Sequence, residues 1–244
     1  TSRVSFKHIL SHLNVGVNMK IIVLGCGNIG AVIARDVAEN LSSSRVVIAD
    51  VDKKRVREVA SRINLENVTW TQVDAKNRSA LSSKLKSFDV AVSALPGVFG
   101  YQACRASIAA KVDLVDVSYM PEDVMTLNGA ALKAGITIIP DCGMSPGLCS
   151  IFVGRAASQL NEVEEAHMLN GGLPEKPVPP LDYVITWSVK DLIDMYSRKV
   201  SIVKGGKVVP VEALSGLEEI QFPGVGKLEA FYTDGLRTLL YTVK

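Results

Sequence analysis

Residues 25–30 read GCGNIG, three glycines spaced as GxGxxG, directly after the apolar run KIIVL (20–24) and at the head of a helical pattern. At that spacing the first glycine permits a tight turn and the second lets backbone approach a pyrophosphate. The third lets helix and strand pack closely. Phosphates then sit at the helix N-terminus, where backbone N–H groups and the helix dipole favour negative charge. By this reading the loop opened by Gly25, Gly27 and Gly30 holds a dinucleotide. Asp50 ends the next apolar run, RVVIA, twenty residues beyond Gly30. A carboxylate there accepts from ribose hydroxyls and repels a 2′-phosphate, which favours NAD. Lys53, Lys54 and Arg55 follow at once and supply the alternative, a set that would bind the 2′-phosphate of NADP. A Rossmann-like fold that takes no nucleotide is the plain alternative to both.

Ligands of open α/β sheets sit beyond the carboxyl ends of the strands. Here those ends read Ser93-Ala94-Leu95-Pro96-Gly97, Asp116-Val117-Ser118-Tyr119 and Asp141-Cys142-Gly143-Met144-Ser145-Pro146-Gly147. The first predicts a fixed loop close to a nicotinamide. In the third, Ser145-Pro146 has the form of a helix N-cap followed by proline at the first helical position. Asp116 and Asp141 read equally as turn or cap residues, and Tyr119 as a hydrogen-bond donor or as rim packing. No histidine lies at an informative position for Cys142 as a nucleophile, and His167 reads as structural. The four cysteines, Cys26, Cys104, Cys142 and Cys149, form no CxxC pair and have only three histidines as partners. Neither a metal site nor a disulfide framework is expected; reduced thiols in a cytoplasmic protein are the simpler reading.

Strand and helix patterns that would position these residues alternate from Lys20 to about Leu160. Strand-like runs fall at 20–24, 45–49, 68–73, 89–94, 112–117 and 136–139. Between them, Val56, Val59, Ala60 and Ile63 share one helical face, as do Leu81, Leu85 and Phe88. Further helices are predicted near 100–110 and over 122–134, where Gly135 supplies the stop. Six buried strands alternating with helices specify a doubly wound parallel sheet, a Rossmann domain over 19–150. A smaller α+β domain is expected over 151–244, with a helix at 188–198 and a hairpin over 199–211 turning at Gly205-Gly206. Two strand candidates, 217–222 and 227–233, flank FPGVG. The closing stretch DGLRTLLYTVK reads as a helix without a stop signal, so truncation of a longer protein is expected.

The chain of 244 residues, 48% hydrophobic and 21% charged, is of globular composition. A net charge of +2 gives no general attraction to nucleic acid or to an anionic membrane. No apolar run approaches the roughly 18 residues of a membrane span. Residues 1–18 carry basic groups and no acid, and read as an extension ahead of Met19.

Residues 170–188, NGGLPEKPVPPLDYVITWS, place four prolines among seven positions and then an aromatic, strand-like run. Glycines 171 and 172 permit close approach to a ligand, and the prolines stiffen the chain after them. The stretch reads as a rigid wall of a substrate pocket rather than a linker, with Tyr183–Trp187 forming a packed strand.

Taken in order, GCGNIG, VSALPG, VDVSYMPE, DCGMSPG and GGLPEKPVPPLDYVITWS resemble the saccharopine dehydrogenase-like oxidoreductases, and within them the L-lysine 6-dehydrogenase branch. That resemblance implies a Rossmann domain followed by an α+β domain that binds substrate and makes homodimer contacts. It implies pyrophosphate contacts from Gly25, Gly27, Asn28, Ile29 and Gly30, ribose contact from Asp50 and an adenine neighbour in Asp74. Ala94, Leu95 and Pro96, with Asp116, Val117 and Ser118, would line the nicotinamide end. Gly171 and Gly172 would border substrate, and Arg198 would take its carboxylate, with a surface cation at a helix end as the alternative reading. For the chemistry, Asp116 is the candidate to accept the proton of the substrate amine or to pair with that amine electrostatically, with Tyr119 as second choice. The implied reaction is oxidative deamination of the ε-amine of L-lysine. A saccharopine reductase or a carboxynorspermidine synthase-like enzyme is the nearest alternative. A nucleotide-sensing module without catalysis is the alternative of another class.

Overall fold

Short runs of Val, Ile and Leu without polar alternation need cover on both faces, and a parallel sheet between helices supplies it. A computed structural model of the chain describes residues 18–180 and 182–242. The extension expected over residues 1–18 therefore lies, apart from Asn18, outside the described residues. Two compact units divide between Pro140 and Asp141, earlier in the chain than the expected boundary after residue 150. Residues 141–150 fall in the second unit, where Asp141 is paired with side chains near the other end of that unit.

The first unit carries strands β1 (Lys20–Leu24), β2 (Arg45–Asp50), β3 (Val68–Gln72), β4 (Val90–Ser93), β5 (Asp113–Asp116) and β6 (Ile138–Ile139). All neighbouring pairs are parallel, and the order is β3-β2-β1-β4-β5-β6. Helices α1 (Asn28–Asn40), α2 (Lys53–Ile63), α3 (Arg78–Leu85), α4 (Gly97–Ala110) and α5 (Asn128–Ala134) connect them, the last after a 3-10 turn at Val124–Leu127. The expected doubly wound Rossmann sheet is what the chain forms. The side-chain period of two along β1 sends Ile22 and Leu24 into one core layer and Ile21 and Val23 into the other. Leu81, Leu85 and Leu114 fill the first layer, Val46, Ile48 and Val56 the second, all inaccessible or nearly so. Each such side chain contributes about 1.5–3 kcal/mol relative to exposure.

Strand order reverses between β1 and β4, where Leu24 lies beside Ser93. This is the switch point at which the carboxyl ends diverge and leave a crevice. Helix ends are closed locally: Asp52 accepts from the N–H groups of Lys54 and Arg55 at the start of α2, and Asn77 from Ala80 at the start of α3. Gly135 ends α5 in the left-handed conformation, φ 70°, as its position predicts.

The second unit contains α6 (Leu148–Ala157), α7 (Val189–Ser197), hairpins β7–β8 (Val200–Lys204, Lys207–Val211) and β9–β10 (Glu218–Phe222, Gly226–Ala230), and the short α8 (Leu239–Thr242). Gly205 and Gly206 take φ 56° and 72°, the two positive angles that a two-residue hairpin turn demands. Two local expectations differ from the structure. The helix after DCGMSPG starts at Leu148 with Gly147, φ 132°, at its cap, so Ser145-Pro146 does not open it; the Gly143 carbonyl accepts from Leu148 N–H and closes the loop first. Residues 183–187 form no strand. β-branched residues form a strand only where a ladder partner is present, and none of the described sheets includes this run.

Candidate functional site

Two of the three loop glycines are imposed by the protein's own backbone. Gly25 has φ 93°, and a Cβ on it would stand 2.5 Å from the Ala94 carbonyl oxygen at the end of β4. A Cβ on Gly30 would overlap the carbonyl of Gly25. Gly27 is different: a Cβ there meets nothing within 4 Å. It caps α1, whose first turn holds no acidic side chain, and Gly27, Asn28 and Ile29 are all exposed. An exposed glycine in open space at the head of a thirteen-residue helix is a cradle that a side chain would partly fill. The residues present thus fit a bound pyrophosphate.

Asp50 at the end of β2 ties this loop down. Its Oδ2 accepts from Cys26 N–H at 2.7 Å, and its Oδ1 from Asp52 N–H at 2.9 Å. Each oxygen keeps a second lone pair, so the carboxylate retains capacity for ribose hydroxyls. The Cys26 thiol beside it is pushed up to about 12, first by burial and then by the charge of Asp50, against a smaller opposing effect of Arg55. It is a packing group with no nucleophilic character at neutral pH. Lys53, Lys54, Arg57 and Arg62 line a groove on α2, so a basic surface follows directly after Asp50.

The ends of β3, β4 and β5 complete the edge. Asp74, just past β3, is exposed, and its Oδ1 accepts from Lys76 N–H at 2.9 Å. Ala94 N–H donates to Leu24 O at 2.8 Å, and Pro96 opens α4. Val117 N–H donates to Ser93 O at 2.9 Å. Asp116 is wholly buried, and its Oδ2 accepts from both Ser118 N–H at 3.1 Å and Ser118 Oγ–H at 2.7 Å. A carboxylate so enclosed and so occupied holds the β5 loop in shape. Half-buried Tyr119 is the more accessible of the two residues expected to handle a proton. Gly25, Asp50, Asp74, Ala94–Pro96 and Val117–Ser118 thus lie along one edge of the sheet.

In the second unit, Gly171 and Gly172 are exposed in irregular backbone with open space around them. Arg198 directly follows α7 and belongs to an ion-pair chain. Its Nη2 lies 3.3 Å from Asp234 Oδ2, and the same oxygen accepts from Arg237 Nη1 at 3.2 Å. Arg237 Nε donates to Asp141 Oδ1 at 3.2 Å, while Thr238 N–H donates to Asp141 Oδ2 at 3.2 Å. Sequence reasoning singled out Arg198 and left Asp234 and Arg237 unassigned. Asp141–Arg237 spans 96 positions, and no periodicity marks such a pair. Among the described residues, no group of three or more His, Cys, Asp and Glu is placed to hold a metal ion. No described helix is long and apolar enough to cross a membrane.

Residues 21–139 match the saccharopine dehydrogenase NADP binding domain, and residues 143–243 the saccharopine dehydrogenase C-terminal domain. The mitochondrial alpha-aminoadipic semialdehyde synthase of Bos taurus is 28% identical over 87% of this chain and 24% of its own length. The saccharopine dehydrogenase [NADP(+), L-glutamate-forming] of Saccharomyces cerevisiae is 23% identical over 79% of this chain and 44% of its own length. A solved apo structure of the L-Glu-forming saccharopine dehydrogenase from Saccharomyces cerevisiae shares the fold, with a TM-score of 0.62 at 22% identity. It covers 85% of this chain and 48% of that one. The chain therefore spans less than half the length of these relatives.

Proposed function

The chain belongs to the saccharopine dehydrogenase family, and from that premise we propose that it is an NAD(P)-dependent oxidoreductase acting on a C–N bond of an α-amino acid, most specifically the ε-C–N bond of L-lysine. The observation that carries the reading is the glycine loop, tight at Gly25 and Gly30 and open at Gly27. The order of motifs from GCGNIG to the GGLP segment supports the choice of lysine. In this reading Gly25, Gly27, Asn28, Ile29 and Gly30 hold the pyrophosphate, Asp50 the ribose, and Asp74 borders the adenine. Ala94, Leu95, Pro96, Val117 and Ser118 border the nicotinamide, which supplies a hydride acceptor when bound. Asp116 keeps Ser118 in place from beneath, a positioning role, and Tyr119 is the candidate for moving the proton of the substrate amine. Gly171, Gly172 and Arg198 of the second unit serve the substrate, Arg198 by a bidentate fork on its carboxylate. Overall, lysine, water and oxidised cofactor give 2-aminoadipate 6-semialdehyde, ammonia and reduced cofactor. A homodimer in the cytoplasm belongs to the same proposal, in keeping with the free cysteines.

The second reading is the saccharopine reaction, favoured by the names that the curated relatives bear. The groove of Lys53, Lys54 and Arg57 favours NADP in either case, against the carboxylate of Asp50. One assay separates the readings. The protein is incubated with L-lysine and either NAD or NADP, and absorbance of the reduced cofactor is followed. Lysine-dependent reduction is the expected result. No reduction, with NADPH consumed only when semialdehyde and glutamate are both supplied, assigns the saccharopine reaction instead.

A further inference from the structure

The adenine side of the cofactor edge has the least support from the sheet. β3 closes that side as an edge strand, and none of its five residues is buried. The loop that follows, residues 74–77, is held mostly by itself. Asp74 Oδ1 accepts from Lys76 N–H at 2.9 Å, the Asp74 carbonyl from Asn77 N–H at 3.1 Å, and Asn77 Oδ1 from Ala80 N–H at 3.0 Å. Among the described residues, one hydrogen bond ties these four residues to a distant segment: Gln102 Nε2 of α4 donates to the Ala75 carbonyl. Gln102 starts from a fixed point, since its neighbours Ala103 and Cys104 are wholly buried and α4 packs along α3.

A half-buried carbonyl is costly to leave unpaired, so the Gln102 amide decides where Ala75 stands, and with it Asp74 one residue earlier. Asp74 is exposed, and its Oδ2 has no partner among the described residues. A carboxylate oxygen there accepts from the 6-amino group of adenine. Hypoxanthine presents an oxygen at the same place, and two acceptors repel. We propose that Gln102 is a positioning residue for the adenine end of the cofactor, holding the loop 74–77 to α4 and so setting the choice of a 6-amino over a 6-oxo purine. This role rests on the dinucleotide placement proposed above and not on the reaction assigned to it. Sequence pattern gives no sign of the pair, for Gln102 and Ala75 lie 27 positions apart and neither belongs to the glycine loop.

NAD and nicotinamide hypoxanthine dinucleotide test this, because they differ only at position 6 of the purine; the pair bearing a 2′-phosphate replaces them where the protein prefers it. Binding of each to the full chain is measured by calorimetry. The unaltered protein is expected to bind the adenine form about tenfold more tightly. Gln102→Met, which keeps the reach and removes the donor, should bring the two within about threefold, and Gln102→Ala should do the same. Gln102→Lys, which keeps an N–H donor, should retain most of the preference. A merely structural role would lower both affinities together and leave their ratio unchanged. Hydrogen exchange without nucleotide gives a second readout: the Lys76 and Asn77 amides should exchange at least about fivefold faster in Gln102→Met, with β1 unaffected. Equal affinities in the unaltered protein, or no binding of either form, overturn the proposal without any variant. An unchanged ratio in a Gln102→Met protein whose β1 amides stay protected overturns it as well. A preference that Gln102→Met abolishes, found without turnover of L-lysine, would leave the positioning role standing and sink the lysine reaction alone.

Discussion

In the first unit most of the side chains withdrawn from water are Ile, Val, Leu and Ala on both faces of one sheet, with Asp116 and a few serines among them. In the second, among the described residues, the buried hydrophobics are only Leu192 and Val200, and two carboxylates, Asp141 and Asp191, are buried as well. α6 buries none of its residues; Leu148, Ile151 and Phe152 are exposed along it. The difference follows from topology. A six-stranded sheet gives every central strand two covered faces, whereas a two-stranded hairpin has little surface to cover and is marginal alone. The second unit holds its distant segments by directed contacts, in which Arg237 and Asp234 stand where the first unit has aliphatic carbon. Hydrocarbon burial is tolerant of shape and proportional to area, but an ion pair is lost entirely when one partner leaves.

The comparison can be broken most forcefully from the hydrophobic side. Ile22→Ala in the middle of β1 should cost about 2–5 kcal/mol, read from the shift of a denaturant midpoint, because the cavity it leaves is walled by both neighbouring strands. A loss under roughly 1 kcal/mol would mean that the sheet core is loosely packed. Next in size, Arg237→Met should cost about 3 kcal/mol by stranding Asp141, and amides of residues 234–238 should lose hydrogen-exchange protection while those of β1 keep theirs. Asp141→Leu combined with Arg237→Met should recover much of that loss. A double variant as unstable as the single would show that packing around the pair, and not its charge, holds the segment.

Smaller effects probe the loop. Gly27→Ala should leave thermal stability nearly unchanged and weaken NAD(P) binding about tenfold, roughly 1.4 kcal/mol by titration. Gly30→Ala should instead destabilise the fold, since its methyl has the Gly25 carbonyl in its path. If both variants lose only affinity, the tight contact at Gly30 is not structural. The last effect is absent at neutral pH and appears only at high pH. The folded Cys26 thiol keeps its proton up to about 12, while the unfolded chain releases it near its ordinary value of 9.0. Between these values the folded state binds more protons, so stability falls as pH rises. Cys26→Ala should flatten that part of the stability profile, and an unchanged slope would remove Cys26 from the account.

The sheet was legible because its information is local. Period and composition mark KIIVL, RVVIA and the amphipathic helices without reference to distant residues, and glycine spacing marks the loop between them. Gly205-Gly206 was legible for the same reason, since two positive φ angles can be read from two adjacent residues. The Tyr183–Trp187 run misled because strand propensity states a preference for a ladder and cannot supply one. Ser145-Pro146 misled because its cap pattern competes with the closure of 143–147, which depends on Gly147. The enclosure of Asp116 and the union of Asp141 with Arg237 were illegible, as each depends on segments that meet only after the fold has formed. Resemblance to a family named Arg198 but not Asp234, the carboxylate with which it pairs.

Gly100 in α4 bears on the loop that follows β5. A Cβ there would overlap Ser118 Oγ and stand 3.0 Å from Ser118 Cβ and 3.1 Å from Met120 Cβ. The Asp116–Ser118 turn is thus moulded against a helix face that has had one side chain removed to receive it. Mechanically, the turn inherits the stiffness of a fourteen-residue helix, and its position is registered to the helix as a key is to a slot. Any tilt of α4 would carry Ser118 with it. The reach of the cofactor edge on that side is therefore set one layer deeper than the residues that would touch a ligand.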